Sequence, residues 1–524
     1  MRVPLAIFIL LPCAFSLDIM MYVNVAGKSH LQFAEKLIAL LNESGHNVDV
    51  IMGVLNSLVT LKGSYGARKL VTVHFPGDSP WGAVADHINR PFVEFSDWDR
   101  LRFIMDANKF MDTNELLCDF LLVSSDIAEL LSSNKYDIAL VNGYDFCPFA
   151  IAHHYKISPV ASFVTTPAYY IQTYHAGLPE LPLYENVIFD TRHADKSEFV
   201  TRLFDTLISF KDRYNTFRHA NAINEKVRDR FGDDFPDVRE IVKNVSIDFT
   251  NSHPLLEEPR PISHRIRYIG GVGLPKPKQL KKELNNLLDL SNKGNVLFSF
   301  GTQVGPEKIT EDQQEIFINT FKRFPEYNFF WKFDGKTQMN ATNIFNLDWL
   351  PQTDMLYDSR VVAFISHMGL NSLTETAFAG VPVVAIPLFG DQVHNARSAM
   401  AIGIGEMVRK TEMTEENLSE ALKKVLYDER YRLRAKDLSS MISALPETPQ
   451  RVFLEGIEFA AKFKHLSSHY RLAGANHNFL VQIGCDVAAF LTTSLILSFY
   501  FIIKIAVFVL TYFKVGVLVK NKLD

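Results

Sequence analysis

The first half of the chain alternates between short apolar runs and segments with helical periodicity. Residues 18–26 are a nearly continuous apolar run, and residues 31–42 place apolar side chains three and four positions apart. This pattern predicts a strand and then an amphipathic helix, with Ser29 as the helix N-cap. A βαβ unit holds its strands parallel, so we expect a parallel sheet with further strands over 48–52, 136–141 and 157–163 and a helix over 148–155.

The same alternation restarts after a segment rich in proline and glycine, residues 253–293, which is typical of a connector. The strands predicted beyond it cover 295–300, 328–332, 361–365 and 381–386, and the helices cover 311–324 and 370–379. The sequence therefore predicts an α/β protein with two doubly wound, Rossmann-like domains that face each other across a cleft. The predicted domains are residues 17–252 and 294–470.

Both ends of the chain are apolar without an amphipathic period. Residues 1–16 have a basic residue, a short apolar run and small residues, which is typical of a signal peptide, although a buried first strand is the alternative. Residues 485–503, with apolar positions continuing to 513, are long enough to cross a bilayer. A buried core helix is the alternative there, but the segment has no polar face.

The flanking charges predict how this segment is oriented. Asp486 lies at its start and lysines follow in the tail, 514–524, which fits a single-pass type I protein with a large lumenal part and a short cytosolic tail. Lys520 and Lys522 resemble the dilysine retrieval signal of endoplasmic-reticulum membrane proteins. N-glycosylation sequons begin at Asn42, Asn244, Asn340 and Asn417. We therefore expect a glycoprotein of the endoplasmic reticulum membrane.

Composition narrows the class of protein further. The 524 residues are 47% hydrophobic and 22% charged, which excludes a disordered chain. A net charge of −5, with no basic stripe, argues against a nucleic-acid partner. Four cysteines cannot form a disulfide framework, although one or two bridges are compatible with them. The chain is therefore expected to be a globular, membrane-anchored protein.

The densest run of chemically active side chains is residues 349–392. A strand over 361–365 leads into a turn that contains Gly369 and opens onto a helix. Backbone N–H groups at such a helix start form an anion site, and His367 adds a donor or a positive charge.

Polar side chains on and around this helix extend the candidate site. Asn371 and Ser372 are donors in the first turn, and Glu375 is four residues after Asn371, on the same face. A carboxylate there suits a sugar diol, and Trp349 offers a flat surface for a base. Asp391 and Gln392 follow the next strand, where open α/β sheets bind ligands.

This segment resembles the donor-binding signature of the UDP-glycosyltransferase family, which includes the animal UDP-glucuronosyltransferases. Met368 departs from the pattern, because the family usually has a small residue there. The resemblance extends over nearly the whole chain, including residues 27–30 and 298–302, and it implies a fold of the GT-B type. The matching positions are Trp349, Gln352, Phe364 to His367, Gly369, Asn371, Ser372, Glu375, Pro382, Pro387, Asp391 and Gln392.

The resemblance implies a UDP-sugar as co-substrate, UDP-glucuronic acid or UDP-glucose, with no cofactor and no metal. It leaves open whether the chain forms a homo- or hetero-oligomer. The implied contacts are Trp349 and Gln352 for the uridine, Glu375 for the ribose, Ser299, Thr302, His367, Asn371 and Ser372 for the diphosphate, and Asp391 and Gln392 for the sugar.

Transfer with inversion needs a general base for the acceptor hydroxyl, and His30, just after the first strand, is the candidate. In the family a carboxylate orients this histidine. The matching position here is Asn142, which cannot carry a charge, and Asp145 is the substitute that the sequence offers.

The resemblance implies a small lipophilic acceptor, which is an alcohol, a phenol or an acid. The aromatic stretches 92–110 and 169–184 are candidates for an apolar acceptor pocket and equally for ordinary core. Two other readings are open: a catalytically impaired protein that binds a UDP-sugar or a lipophile, which Asn142 favours, and a membrane adaptor or receptor, which the intact 349–392 segment argues against.

Overall fold

The computed structural model describes residues 16–55, 59, 61–75, 108–167, 170–178, 198–301, 304, 308–333 and 341–523. The predicted signal peptide up to residue 15 lies outside the described residues, as do Thr302, Asn340 and, of the two aromatic stretches, residues 92–107, 169 and 179–184.

Two separate sheets carry the described strands, and every strand pair in them is parallel. The predicted two-domain α/β fold is confirmed. The strands are β1 (Asp18–Val25), β2 (Asn47–Val54), β3 (Lys69–His74), β4 (Ile138–Asn142), β5 (Val160–Val164), β6 (Ile247–Thr250), β7 (Ile266–Tyr268), β8 (Asn295–Ser299), β9 (Asn328–Lys332), β10 (Ile344–Leu347), β11 (Val361–Ser366), β12 (Val383–Ala385) and β13 (Gly405–Met407).

The helices pack around these sheets. They are α1 (Lys28–Glu43), α2 (Asn108–Val123), α3 (Ser125–Ser133), α4 (Cys147–His154), α5 (Tyr170–Ala176), α6 (Phe199–Phe231), α7 (Val238–Val242), α8 (Lys282–Leu288), α9 (Glu311–Lys322), α10 (Gln352–Leu356), α11 (Leu370–Ala379), α12 (Gln392–Ile402), α13 (Glu415–Tyr427), α14 (Glu429–Ser443), α15 (Pro449–Lys462), α16 (Leu466–Tyr470), α17 (Phe479–Gln482) and α18 (Cys485–Leu523).

The first sheet has the order β3-β2-β1-β4-β5-β6-β7. Its central strands are buried on both faces, which explains their continuous apolar runs. Helix α1 covers one face with residues such as Leu37, and α4 and α6 cover the other. Helix α1 begins at Lys28 after Gly27, so Ser29 lies inside the helix and is not its N-cap, because the extended backbone of Gly27 already occupies that position.

The second sheet has the order β10-β9-β8-β11-β12-β13. Aromatic residues fill one side of it, where Phe298 on β8 packs against Trp331 on β9 and Phe317 on α9. Strand β11 lies beside β8 and β12 and leads directly into α11. The predicted anion-binding turn therefore follows the carboxyl end of an inner strand of the sheet.

Two segments extend the first domain beyond the predicted bounds. Strand β7 lies within the predicted connector, 253–293, and pairs with β6. Helix α15, from the predicted second domain, returns to the first sheet, where Phe453 contacts Phe249 with ring centroids 5.1 Å apart. The apolar stripe of α15 covers a sheet face that would otherwise be exposed. This packing depends on tertiary structure, so the local sequence pattern does not predict it.

The C-terminal helix α18 is longer than the predicted span of 485–503. Residues Cys485–Lys514 form one helix that is long and apolar enough to cross a membrane, and its side chains are exposed. No proline follows Ile503, and Lys504 lies over the ring of Tyr500 at 5.6 Å. The described C-terminal part of the chain therefore carries one candidate membrane-spanning helix.

Candidate active site

The carboxyl ends of the two sheets face each other. Burial raises the pKa of Tyr144, just after β4, to about 12, and the charge of Asp391, just after β12, adds to this shift. Lys36 on α1 interacts electrostatically with Glu375 on α11, although burial lowers the pKa of the lysine. These two interactions place the middle of α1 near Glu375 and the end of β4 near Asp391, so both lie close to the predicted donor site.

The predicted phosphate turn keeps a glycine-like shape although it contains Met368. This residue has a φ of 59°, in the left-handed region, which costs a residue with a Cβ about 1–2 kcal/mol. Its side chain is fully buried among Leu256 and Leu373, and its carbonyl accepts a hydrogen bond from Asn395 at 3.0 Å. The packing of the side chain and this hydrogen bond stabilise the turn. The methionine therefore adds contacts that hold the turn in place without altering its backbone conformation.

His367 lies between two glycines. A Cβ on Gly301 would be 2.7 Å from its Cε1 atom, and a Cβ on Gly369 would be 2.7 Å from its Nε2 atom. Burial lowers the pKa of His367 to about 4, the nearby Lys332 lowers it further, and a hydrogen bond to the backbone of Ser299 opposes both. The ring is therefore neutral at pH 7 and can offer a hydrogen bond but no positive charge.

Glu375 is held by two neighbours from α10. Its carboxylate accepts hydrogen bonds from the side chains of Gln352 and, at 2.9 Å, Thr353. Burial raises the pKa of Glu375, and these two bonds and Lys36 counteract that shift. In this arrangement Gln352 positions the carboxylate.

Trp349 presents its ring to solvent beside a lysine that the sequence did not indicate. Its side chain is 71% exposed, and the Lys332 ammonium lies 5.6 Å from the ring centroid. Lys332 Nζ also donates to the Gly301 carbonyl at 2.6 Å. Its position at the carboxyl end of β9 could have placed Lys332 in the donor site from the sequence, because that strand ends at the same edge of the sheet as β11.

The remaining predicted donor residues are arranged around the two neighbouring loops. Asp391 accepts a hydrogen bond from Asn395 at 2.9 Å, and burial raises its pKa. The Gln392 side-chain oxygen accepts from the backbone N–H groups of Leu388 and Phe389 at 2.8 and 3.1 Å, so it shapes its own loop. Asn371 is exposed, Ser372 is buried, and Ser299 Oγ accepts from the backbone N–H of Gly301 at 3.1 Å.

His30 lies in the first turn of α1, next to Tyr144, with ring centroids 5.7 Å apart. Its Nδ1 atom is buried and makes no hydrogen bond among the described residues. Burial lowers the pKa of His30 to about 4, and a hydrogen bond between its ring and the backbone of Asn24 counteracts this in part. The ring is therefore neutral at pH 7, as a general base must be before it accepts a proton.

Asp145 is bonded away from His30. Its Oδ1 atom accepts hydrogen bonds from His219 Nε2 at 3.0 Å and from the backbone N–H of Cys147 at 3.2 Å. The described residues include no hydrogen bond between Asp145 and His30. Asn142, the other residue considered, is 1% exposed, and its Oδ1 atom has no hydrogen-bond partner.

A buried ion network explains the position of Asp145. His219 Nδ1 also contacts Glu115 at 3.0 Å, so the ring lies between two carboxylates. Burial would lower the pKa of His219, but the bonds to Asp145 and Glu115 raise it to about 9. Local sequence patterns do not indicate this network, because His219 is 74 and 104 residues from its two partners.

A disulfide lies beside this network. Cys118 on α2 is bonded to Cys147 at the start of α4, and both residues are fully buried. Among the described residues, no group of three or more histidine, cysteine or acidic side chains is arranged to hold a metal ion.

Comparison with known proteins agrees with this geometry. The family model described as UDP-glucoronosyl and UDP-glucosyl transferase matches residues 20–520. The chain is 26% identical over 492 residues to the putative UDP-glucuronosyltransferase ugt-50 of Caenorhabditis elegans, covering 92% of each chain. It is 28% identical over 440 residues to UDP-glucuronosyltransferase 3A1 of Bos taurus, covering 82% of this chain and 81% of the other.

Solved structures support the same fold at lower identity. The glycosyltransferase VinC, in complex with DTDP, superposes with a TM-score of 0.56 and 14% identity, over 85% of this chain and 100% of the other. The kitacinnamycin glycotransferase superposes with a TM-score of 0.55 and 16% identity, over 85% and 98%. Both are named as glycosyltransferases, and their fold matches the two parallel sheets of this chain, so the GT-B type of fold is confirmed. With the family model matched across the chain, the protein belongs to the UDP-glucuronosyl and UDP-glucosyl transferase family and uses a UDP-sugar as its co-substrate.

Proposed function

We propose that this UDP-glycosyltransferase transfers glucuronic acid or glucose, with inversion, to a hydroxyl or acid group of a small lipophilic acceptor, and that His30 is the general base. The observation that carries the proposal is the position of His30. A neutral histidine with a buried, unpartnered Nδ1 atom lies against Tyr144, and Tyr144 in turn lies close to Asp391 in the donor half.

The donor would lie along the edge of the second sheet. Trp349 would stack on the uracil while Lys332 stays beside the ring, and Glu375, already oriented by Gln352, would accept hydrogen bonds from the ribose hydroxyls. The neutral His367 and the backbone N–H groups at the start of α11 would bind the diphosphate as its charge increases. Asp391 would contact the sugar, with Gln392 shaping its loop.

Transfer would then be a direct displacement. The acceptor oxygen attacks the anomeric carbon as the bond from that carbon to the β-phosphate oxygen breaks, and UDP leaves with the bonding electrons. His30 takes the acceptor proton in this step. Because the acceptor attacks opposite to the leaving group, an α-linked donor gives a β-linked product.

The experiment uses microsomes from cells that express the full chain. With UDP-glucuronate or UDP-glucose and a panel of phenols, we expect acceptor-dependent UDP release and a β-linked product by NMR. Microsomes carrying His30→Ala serve as the blank. No UDP release above this blank with either donor would exclude the enzyme that we propose, and an α-linked product would exclude inversion.

We place the catalytic part in the lumen of the endoplasmic reticulum, with α18 as the membrane anchor. The Cys118–Cys147 disulfide supports an oxidising compartment, and the sequon residues Asn244 and Asn417 are exposed, whereas Asn42 is half-buried and bonded to the Gly66 carbonyl. We expect glycosidase treatment to increase gel mobility and added protease to remove only the C-terminal tail from sealed microsomes. Digestion of the large domain in sealed microsomes would contradict this orientation.

A catalytically impaired protein that binds a UDP-sugar or a lipophile is the second candidate. The observation that favours it is the absence of a described carboxylate beside His30, since Asp145 is bonded to His219. This candidate predicts UDP binding without acceptor-dependent UDP release, so the microsomal assay distinguishes the two.

A further inference from the structure

The partner of His30 determines how strong a base it can be. We propose that an uncharged residue, Asn142, orients His30, and that the site therefore favours acceptors that ionise readily, phenols and carboxylic acids, over aliphatic alcohols. The inference rests on the proposed function, because it concerns the same transfer and the same acceptor.

The sheet separates the two possible partners. Ile138 and Leu140 of β4 pack on the face that α1 covers, and strand alternation places Asn142 on that face as well. His30 lies in the first turn of α1, beyond the end of the neighbouring strand β1. Asn142 is thus the residue at the end of β4 that faces the helix carrying the base.

Asp145 belongs to the opposite face. It is bonded to His219 on α6, and Phe146 and Cys147 next to it pack with Ala220 of the same helix. Turning Asp145 toward His30 would break its bond to His219 and leave a protonated histidine with one carboxylate fewer. The hydrogen bond to His219 therefore holds Asp145, the one candidate carboxylate of the described β4–α4 loop, away from the base.

Two buried atoms on the α1 side have no hydrogen-bond partner. They are His30 Nδ1 and Asn142 Oδ1, one a donor in the appropriate tautomer and the other an acceptor. Burying such groups without a hydrogen bond destabilises the folded protein. The two atoms do not bond each other in this structure; under the proposal, a hydrogen bond from His30 Nδ1–H to Asn142 Oδ1 would satisfy both atoms and leave Nε2 for the acceptor proton.

The charge of the partner changes the chemistry. When His30 takes the acceptor proton it becomes an imidazolium, which a carboxylate partner would stabilise by ion pairing. The Asn142 amide oxygen is uncharged, so it accepts a hydrogen bond from the imidazolium but forms no ion pair with it. An aliphatic alcohol depends on the general base to remove its proton. A phenol, with a pKa of about 10, depends on it less, and a carboxylic acid is already ionised at pH 7.

The test compares para-substituted phenols of graded acidity with benzyl alcohols of matched size, in microsomes and at saturating UDP-sugar. The unmodified protein should use phenols at least about tenfold faster than the alcohols, and faster as the phenol becomes more acidic. Asn142→Asp should raise the alcohol rate about tenfold, or about 1.4 kcal/mol, and the phenol rate less, because the new carboxylate forms an ion pair with the imidazolium. The ratio of the two rates is the readout, since a merely structural effect would change both together.

Asn285→Asp is the matched control. Asn285 is half-buried on α8, in contact with the second sheet, and its side-chain oxygen accepts from Arg360 at 2.6 Å, a bond that a carboxylate can also make. The ratio should not change in this variant. UDP binding by Asn142→Asp checks folding, and should Asn142→Asp fail to bind UDP, Asn142→Ser is used, which should lower the alcohol rate more than the phenol rate.

Several results would overturn the proposal. They are equal rates for phenols and alcohols in the unmodified protein, an unchanged ratio in an Asn142 variant that binds UDP, and loss of transfer in Asp145→Asn with full activity in Asn142→Ala. Failure of the proposed function is a different result, namely no UDP release with any acceptor of either class.

Discussion

Replacing His219 with leucine is expected to lower the free energy of unfolding by about 3–5 kcal/mol, because removing one member of a buried ion pair leaves an uncompensated charge. His219 is fully buried and contacts Asp145 and Glu115 at 3.0 Å each. Asp145 is itself fully buried, so its carboxylate would lose its charged partner in a place that water does not reach.

The measurement is chemical denaturation of the full-length protein in detergent micelles. His264→Leu is the control, since His264 is exposed on the loop before β7 and should give a change within about 0.5 kcal/mol. Combining His219→Leu with Asp145→Asn and Glu115→Gln removes the charges together and should recover part of the loss. Equal stability of His219→Leu and the unmodified protein would show that the network contributes nothing.

The same network gives the first domain a pH dependence of known sign. The pKa of His219 is raised to about 9 in the folded protein, and a histidine in an unfolded chain has a pKa of about 6.5. The folded state therefore binds a proton more tightly, and the stabilisation is fully present below about pH 6.5. It decreases as the pH rises and is lost as the pH passes through about 9, and His219→Leu should abolish this part of the pH profile.

How much of the molecule was predictable depends on whether the determining contacts are local. Strand β9 and helix α11 have the bounds that the apolar pattern predicts, because a strand buried on both faces and an amphipathic helix carry their own periodicity. The return of α15 to the first sheet and the inclusion of β7 in that sheet were not predictable, since both depend on which distant surface needs an apolar cover.

The site shows the same division. The spacing of Trp349, His367 and Glu375 on one sheet edge was readable, because consecutive strand ends and one helix face fix their neighbourhood. The pairing of Gln352 with Glu375, and the neutral state of His367, follow from burial and packing that the sequence does not encode locally. Asp145 lies three residues from the family position of the carboxylate, and only the tertiary structure shows that it is hydrogen-bonded to His219.

Replacing His30 with alanine is expected to reduce the turnover number by about 10²–10⁴, the range that a positioned general base contributes. His30 lies on the acceptor side of the cleft, and none of its described contacts is to a predicted donor residue. The affinity for UDP should therefore change little in this variant, so the loss should appear in kcat.

The comparison that isolates the base uses three variants of the full chain, each measured for UDP release and for UDP affinity. His30→Gln keeps a polar side chain of similar reach without a group that titrates near pH 7, and it should be as slow as His30→Ala. His264→Ala, at an exposed position, should keep full activity. If His30→Gln retained the activity of the unmodified protein, His30 would only fill space or donate a hydrogen bond. If the variant transferred the sugar only to the most acidic phenols, the loss of activity would follow the need for proton removal, as expected of a base.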